Sequence, residues 1–273
     1  MNEETPFSET DRPPLTGGNG LRTLLLGLFL IPWSSFWGMW TMIFGVLRQS
    51  HITSWGLSIW ARGILSLAGI HIQFSQRAVL PVSEHYIFLS NHQSALDIPI
   101  LLLACRKAGQ GVRFMAKESL FKIPFLGWGM ALNGFIPIQR ENARQAAEVF
   151  KGVVESRKNL AYSYLIFPEG TRSEDGRLQP LKKGTIALAL RLELPIVPVS
   201  IVDACRANPK AQLRVRSGTV RVIFNAPIAP PQDPNRTQRD ALLRQVQDAI
   251  NAALPPEQQI PLLAAPVEQT KPD

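Results

Sequence analysis

The sequence predicts an α/β domain with a mostly parallel central sheet flanked by helices, preceded by an N-terminal pair of membrane-associated helices. After residue 73, short β-rich segments alternate with helical ones, which is typical of a parallel sheet. Before that, no ionisable side chain occurs from Thr23 to Leu47, a run of 25 residues. Five of the six tryptophans lie between Trp33 and Trp60, a distribution typical of a lipid interface.

The first 22 residues are expected to form a disordered leader. They are polar, and they contain Pro13 beside Pro14 and a glycine-rich run at 17–20. Such a composition buries too little apolar surface to offset the entropy of ordering.

Residues 23–72 are expected to form a membrane helical module. As a helix, residues 23–47 would measure about 37 Å, against a hydrocarbon core of about 30 Å. Pro32 and Gly38 weaken a straight spanning helix, so a spanning and a half-embedded helix both stay open. A core helix of a soluble protein is the third interpretation. A second apolar stretch at 54–72, interrupted by Arg62, predicts a helix lying partly in the interface.

The α/β domain is expected at residues 73–228. Its predicted strands are 86–90, 112–116, 134–138, 162–167, 195–201 and 219–224. Its predicted helices are 95–107, 118–132, 141–157 and 182–193. Residues 229–273 are expected to form a C-terminal helix, at 236–253, and a loose tail rich in proline and glutamine.

The charge distribution favours anionic partners at a lipid interface. The formal net charge is +8, and residues 1–72 contain four basic and four acidic side chains, so the whole excess lies on residues 73–273. The tryptophan-rich stretch is apolar rather than basic, which favours lipid over nucleic acid. The two cysteines, Cys105 and Cys205, lack the spacing of a zinc ribbon or a thioredoxin-like site, so a reduced, cytoplasmic setting is expected.

Polar side chains follow several predicted strands directly, where a parallel sheet places its ligand site. We expect them to converge on one edge of the sheet and to form an active site there. They are Asn91 and His92 with Asp97, then Lys117, Arg140, Glu169 and Arg172.

The segment NHQSALDIP, residues 91–99, has the spacing for a histidine paired with a carboxylate. Asp97 can accept a hydrogen bond from one nitrogen of the His92 imidazole, so that the other nitrogen can take a proton from a hydroxyl. Ser94 and Asp97 also have the spacing of a capping box, and Asp97 can serve both purposes.

The segment FPEGTRS, residues 167–173, is expected to turn directly after a strand. Gly170 permits close backbone approach, and the guanidinium of Arg172 suits a phosphate or carboxylate. A turn closed by a Glu169–Arg172 surface ion pair is the alternative. Lys117 and Arg140 are solvated surface charges if taken singly, but together with Arg172 they could form a phosphate cradle.

Several familiar catalytic motifs are absent from the sequence. It contains no GxSxG, GxGxxG, GxxxxGK[ST] or HExxH. The usual sequence motifs of a serine hydrolase, a nicotinamide enzyme, a P-loop enzyme and a zincin are therefore missing. A base without a protein nucleophile favours direct transfer to a substrate hydroxyl.

Four blocks in this order resemble those of the glycerolipid acyltransferases, most closely the bacterial 1-acyl-sn-glycerol-3-phosphate acyltransferases. The blocks are NHQSALD at 91–97, GFIPIQR at 134–140, FPEGTRS at 167–173 and LPIVPV at 194–199. The resemblance implies that His92 is the general base and Asp97 its orienting partner. It also implies an acceptor site, with the cations on the acceptor's phosphate, formed by Lys117, Arg140, Glu169, Gly170, Thr171 and Arg172. Pro195, Val197 and Pro198 would be structural or near the acyl channel.

The resemblance further implies the reaction. A fatty acyl group would move from acyl-CoA or acyl carrier protein to the sn-2 hydroxyl of lysophosphatidate, giving phosphatidate in phospholipid biosynthesis, with no metal and no cofactor. We expect the enzyme at the cell inner membrane with its catalytic domain in the cytoplasm, where acyl donors are found. Two alternatives remain open. One is the same chemistry on glycerol 3-phosphate, another lysophospholipid or a lyso-aminolipid, and the other is a non-catalytic lipid-binding membrane protein.

Overall fold

The computed structural model describes residues 20–47, 50–138, 149, 152, 162–210, 212 and 214–260. Its centre is a seven-stranded sheet in the order β1-β7-β6-β2-β5-β3-β4. The strands are β1 (Ile70–Gln76), β2 (Ile87–Ser90), β3 (Val112–Lys117), β4 (Ile136–Ile138), β5 (Ser163–Ile166), β6 (Ile196–Val202) and β7 (Gly218–Phe224). The five strands from β6 to β4 are parallel, whereas β7 runs antiparallel to β6 and parallel to β1. The predicted mostly parallel α/β sheet is therefore confirmed.

The central strands are buried on both faces, as a parallel sheet covered by helices requires. Every residue of β2, β5 and β6 is buried. Successive side chains point to opposite faces, so Phe88 joins one apolar cluster with Ile100 of a helix, while Ile87 and Leu89 join a second cluster with Val246.

Eight α-helices lie in the described part of the chain. They are α1 (Gly20–Val46), α2 (Ser50–Ala68), α3 (Asp97–Lys107), α4 (Glu118–Phe121), α5 (Leu126–Leu132), α6 (Ile186–Leu192), α7 (Ala204–Ala207) and α8 (Arg236–Asn251). The predicted helix 118–132 is broken into α4 and α5, because Pro124 has no amide hydrogen and Phe125 takes a φ of 61°. The segment predicted as helix 182–193 begins as a 3₁₀ turn, Lys183–Thr185, and continues as α6. The predicted helix 141–157 falls on a segment of which only residues 149 and 152 are described.

The sequence prediction missed β1. The stretch 54–72 was expected to be helical, but α2 ends at Ala68 and the chain enters β1 at Ile70, which pairs with Gly218 of β7. The segment IHIQFSQ alternates apolar and polar residues, and the backbone groups on one side of this edge strand pair with β7. The helical module therefore ends four residues before the expected boundary at 72.

The two ends of the described chain also differ from expectation. The leader was expected to reach residue 22, but α1 begins at Gly20, and residues 1–19 lie outside the described part. The tail from Pro255 was expected to be loose, yet its first residues form a 3₁₀ turn, Pro256–Gln258, with Gln258 buried. Gln258 Nε2 donates to Asp203 Oδ1 at 2.8 Å, so this turn is tied to the α/β domain. Residues 261–273 are outside the described range.

Helix α1 packs against both α2 and α5. A Cβ placed on Gly38 would lie 2.9 Å from the Leu126 Cα, and one placed on Gly129 would lie 2.7 Å from the Gly38 carbonyl oxygen, so only glycine allows this approach. Asn133 Nδ2 donates to the Thr41 carbonyl oxygen at 2.8 Å across the same contact. The C-terminal half of α1 is thus docked on the α/β domain.

Candidate active site

The predicted catalytic residues follow β2 and β5, which are neighbours in the sheet. Leu89 of β2 pairs with Ile166 of β5, so the turns that begin at Asn91 and at Phe167 emerge side by side at the carboxyl edge. Asn91 itself is used structurally. Its Nδ2 donates to the Ile201 carbonyl oxygen at 2.8 Å and its Oδ1 accepts from the Ile201 N–H at 2.7 Å, so it clamps the first turn to β6.

His92 and Asp97 form a buried pair. His92 Nδ1 lies 2.7 Å from Asp97 Oδ2, and the same oxygen accepts the backbone N–H groups of Gln93 at 2.7 Å and Ser94 at 2.8 Å. Asp97 has no exposed surface and is the first residue of α3, whose N-terminus favours a negative charge. The carboxylate is therefore held in one orientation toward the imidazole.

Only one of the two hydrogen bonds of the predicted capping box between Ser94 and Asp97 forms. The Asp97 carboxylate accepts the Ser94 N–H, but Ser94 Oγ accepts from the Leu96 N–H at 3.2 Å instead of from Asp97. Asp97 serves the turn and the imidazole together, as the spacing allowed.

The ring of Phe167 stacks on the imidazole of His92, with centroids 3.9 Å apart and planes inclined by 16°. The side chain of His92 is 6% exposed. Because Nδ1 is engaged by Asp97 and one ring face by Phe167, Nε2 is the nitrogen left to exchange a proton with a substrate. Such an arrangement can perform general base catalysis.

Glu169 is buried, with 3% of its surface exposed. Its Oε1 accepts the His92 backbone N–H at 2.8 Å. Burial raises the pKa of Glu169 from its ordinary value of 4.5 to about 8, opposed by the backbone N–H groups of His92 and Gln179, while the negative charge of Asp97 adds to the increase. Glu169 Oε2 has no hydrogen-bond partner among the residues that the structure describes.

The expected alternative for this turn, a surface ion pair between Glu169 and Arg172, is wrong. Glu169 is buried and bound to the His92 backbone, and no such pair forms between these two described side chains. Instead, the Ser173 N–H donates to the His92 carbonyl oxygen at 2.8 Å. Two hydrogen bonds therefore join the two motif turns through the backbone of one residue.

The predicted anion-binding residues lie along the same edge of the sheet. Lys117 ends β3 and is exposed, as is Thr171, while Gly170 and Arg172 are partly exposed. In the strand order, β3 is two places from β2, which corresponds to about 10 Å at the usual spacing between strands. The structure brings these residues to one edge, whereas Arg140 lies outside the described residues.

The fourth block of the sequence lies next to the histidine strand. Val197 and Pro198 belong to β6, are buried and pair with Phe88 and Leu89 of β2. The Pro198 carbonyl oxygen accepts the Asn225 N–H at 2.9 Å. These contacts fit the structural role that the resemblance implies.

Three polar residues at the site were not found from the sequence. Gln93 Nε2 donates to the Gly176 carbonyl oxygen at 2.8 Å and to Gln258 Oε1 at 3.0 Å, so a residue of the C-terminal segment supports the histidine turn. Lys182 lies against Gly170. No sequence signal marks Gln258 or Lys182, because both reach the site through long-range packing. Among described residues, no three His, Cys, Asp or Glu side chains are grouped closely enough to hold a metal.

Comparison with known proteins places the chain among acyltransferases. Residues 71–202 match the model of the Acyltransferase family. A chloroplastic 1-acyl-sn-glycerol-3-phosphate acyltransferase of Brassica napus is 39% identical over 143 residues, which are 52% of this chain and 40% of that protein. A 1-acyl-sn-glycerol-3-phosphate acyltransferase of Limnanthes douglasii is 35% identical over 206 residues, 75% of this chain and 66% of that protein.

A solved structure shares the fold. The crystal structure of the 1-acyl-sn-glycerophosphate acyltransferase PlsC from Thermotoga maritima superposes with a TM-score of 0.70 at 23% identity, covering 84% of this chain and 92% of that one. The alignment to the Brassica napus protein spans only about two fifths of that relative's length. The match at residues 71–202, together with the 35% identity to the Limnanthes douglasii protein over 206 residues, shows that the chain belongs to the acyltransferase family.

Proposed function

We propose that the protein transfers a fatty acyl group from an acyl-CoA or acyl carrier protein thioester to the sn-2 hydroxyl of lysophosphatidate, giving phosphatidate. The observation that carries this proposal is the buried pair of Asp97 and His92, which leaves one imidazole nitrogen at a sheet edge that also bears Lys117 and Arg172. The relatives from Brassica napus and Limnanthes douglasii are named as 1-acyl-sn-glycerol-3-phosphate acyltransferases, which supports the same acceptor.

The reaction follows from this geometry as a direct displacement. His92 Nε2 takes the proton of the acceptor hydroxyl as its oxygen attacks the thioester carbonyl. The tetrahedral intermediate expels the thiolate, which receives that proton from the imidazolium. Asp97 stabilises the imidazolium through Nδ1, and holds the ring in place because its own oxygen is fixed by two backbone N–H groups.

The phosphate of the acceptor would lie with the cations of the sheet edge. In the proposed complex, Lys117 and Arg172 bind the phosphate while His92 faces the hydroxyl. Since the spacing between β2 and β3 places Lys117 about 10 Å from the histidine strand, this edge can accommodate a glycerol unit between base and cation. We propose the same phosphate as the ligand of Arg140, the last residue of the second block.

The N-terminal module would dip into the membrane on the side of the catalytic domain. Among the described residues, one helix, α1, is long enough and apolar enough to cross a bilayer. In its most apolar stretch of 18 residues, 17% is buried. Yet residues 38–45 pack on α5, which keeps these turns beside the catalytic domain. Exposed apolar side chains occur on α1, on the connection between α4 and α5, and on α5. They include Leu24, Leu28, Ile31, Phe36, Ile43, Ile123, Phe125, Trp128 and Leu132.

This surface and the packing of α1 on α5 support a half-embedded helix over a spanning one. We propose that the membrane is the inner membrane and that the catalytic domain lies in the cytoplasm. A Ser8→Cys variant tests it in intact cells with a membrane-impermeant maleimide. A half-embedded helix keeps residue 8 on the same side as the catalytic domain, so it is labelled only after lysis. Labelling in intact cells would mean that α1 spans the membrane.

The activity itself is tested with purified protein in detergent micelles. Lysophosphatidate and an acyl-CoA are supplied, and thiol release is followed together with phosphatidate formation. The proposal expects one phosphatidate for each acceptor-dependent thiol. Glycerol 3-phosphate, other lysophospholipids and a lyso-aminolipid serve as competing acceptors, and faster acylation of any of them would contradict the assignment of lysophosphatidate.

A further inference from the structure

The side chain of Lys182 lies across Gly170 of the FPEGTRS turn. A Cβ placed on Gly170 would lie 2.7 Å from Lys182 Nζ, 2.9 Å from Cε and 3.2 Å from Cδ. The φ of Gly170 is 74°, a conformation that favours glycine. The turn therefore needs glycine both for its backbone and for the space that the lysine occupies.

The backbone of Lys182 is fixed to the same turn. Its N–H donates to the Pro168 carbonyl oxygen at 2.9 Å, and its carbonyl oxygen accepts the Thr185 N–H at 3.0 Å and the Thr185 hydroxyl at 2.6 Å. The ammonium group therefore belongs to a residue whose backbone is anchored on the FPEGTRS turn, although Lys182 is 90 residues from His92 in the sequence.

The ammonium of Lys182 has no carboxylate partner within the described part of the chain, and the residue is exposed. Its neighbour Lys183 differs in this respect. Lys183 Nζ lies 2.9 Å from Asp240 Oδ1 and 3.1 Å from Oδ2, an exposed ion pair away from the motif. Within the turn, Glu169 accepts the His92 N–H at its Oε1, and burial raises the pKa of Glu169 to about 8, which favours its neutral form.

The Lys182 ammonium lies beside Gly170, which is one residue from Glu169 and two from Arg172 in the sequence. It is therefore placed to bind an anion that enters this edge of the sheet. We propose that Lys182 is a further binding residue for the phosphate monoester of the acyl acceptor. This inference rests on the proposed function, because it assigns Lys182 to the phosphate of the same acceptor. Lys182 touches the phosphate, which is remote from the reacting carbonyl, so it contributes to acceptor binding and not to the chemical step.

The test compares Lys182→Met with Lys183→Met in the full-length enzyme. Both substitutions remove one cation from the same dipeptide and keep the length of the side chain, but only Lys182 lies on Gly170. Lys182→Met is expected to raise the KM for lysophosphatidate about tenfold with kcat nearly unchanged, the size of one charged hydrogen bond at a partly exposed site. Lys183→Met is expected to leave both constants as in the wild type, and Lys182→Arg to restore most of the affinity.

A second measurement isolates the phosphate. Monoacylglycerol, which lacks the phosphate, is used as acceptor, and its slower acylation is expected to be equal in the wild type and Lys182→Met. The inference is overturned if the wild type is active and Lys182→Met matches Lys183→Met, if kcat falls while KM is unchanged, or if monoacylglycerol acylation falls equally. A wild type that acylates only acceptors without phosphate would overturn the proposed function, and this role with it.

Discussion

The backbone N–H of His92 donates to Glu169 Oε1 at 2.8 Å, and the His92 carbonyl oxygen accepts the Ser173 N–H at 2.8 Å. Two motifs that are 77 residues apart therefore meet at the backbone of one residue. Glu169 supports the position of the histidine and does not pair with Arg172. Glu169 therefore holds the backbone of His92, the proposed base, and Lys117, Arg172 and Lys182 are the cations that we propose for the phosphate of the acceptor.

The raised pKa of Glu169 makes the stability of the protein depend on pH. In the unfolded chain Glu169 ionises near 4.5, whereas in the folded protein it keeps its proton to about pH 8. Between these values the folded state binds more protons, so stability falls as pH rises, by up to about 1.4 kcal/mol per pH unit. Above about pH 8 both states are ionised, and the loss is complete.

Glu169→Gln should remove this dependence, because the amide oxygen still accepts the His92 N–H but does not titrate. Thermal unfolding at pH 5.5 and pH 8.5 should show a smaller fall in Tm for the variant than for the wild type. Parallel Tm curves for the two proteins would show that Glu169 does not hold a proton in the folded state.

Asp97→Asn should impair the chemical step more than binding. A neutral amide cannot stabilise the imidazolium by charge. In the wild type, His92 Nδ1 and the backbone N–H groups of Gln93 and Ser94 share one carboxylate oxygen of Asp97, and an amide oxygen is a weaker acceptor for these three donors. We expect kcat to fall about a hundredfold, with the KM for lysophosphatidate within about threefold of wild type. Asp240→Asn, at an exposed ion pair with Lys183, is the matched control. A kcat near the wild-type value would remove Asp97 from its orienting role.

Gly129→Ala should loosen the docking of α1 on the catalytic domain. The added Cβ would clash with Thr41 Oγ1 and lie 2.7 Å from the Gly38 carbonyl oxygen. A loss of about 1–3 kcal/mol is expected, seen as a lower Tm in detergent. Gly27→Ala is the control, since no atom lies within 4 Å of the Cβ it would add, and alanine there should be neutral or slightly stabilising. Equal Tm values for the two variants would contradict the close contact of α1 and α5.

The features that could be predicted from the sequence are local ones. The pairing of His92 with Asp97 spans five residues, so spacing alone brings the two side chains together. The parallel strands could also be predicted, because each is a short apolar run between helical segments. Strand β1 could not, since it follows α2 after one glycine and pairs with β7 about 150 residues later.

The rest of the site depends on contacts between distant segments. Gln258 reaches Gln93 over 165 residues, and Lys182 reaches Gly170 because its backbone is tied to Pro168. No spacing of residues in the sequence predicts these contacts. The burial of Glu169 was missed for a similar reason, because its partner is the backbone of His92, and a backbone group leaves no mark in the sequence.

The central claim is that His92 is the general base of acyl transfer to lysophosphatidate. The most direct test measures thiol release and phosphatidate formation together in the wild type, in His92→Ala and in the control His71→Ala, an exposed position on β1. The account predicts matched thiol and phosphatidate in the wild type and in His71→Ala, and a loss of about 10²–10⁴-fold in folded His92→Ala. A folded His92→Ala enzyme that keeps most of its phosphatidate synthesis would contradict it.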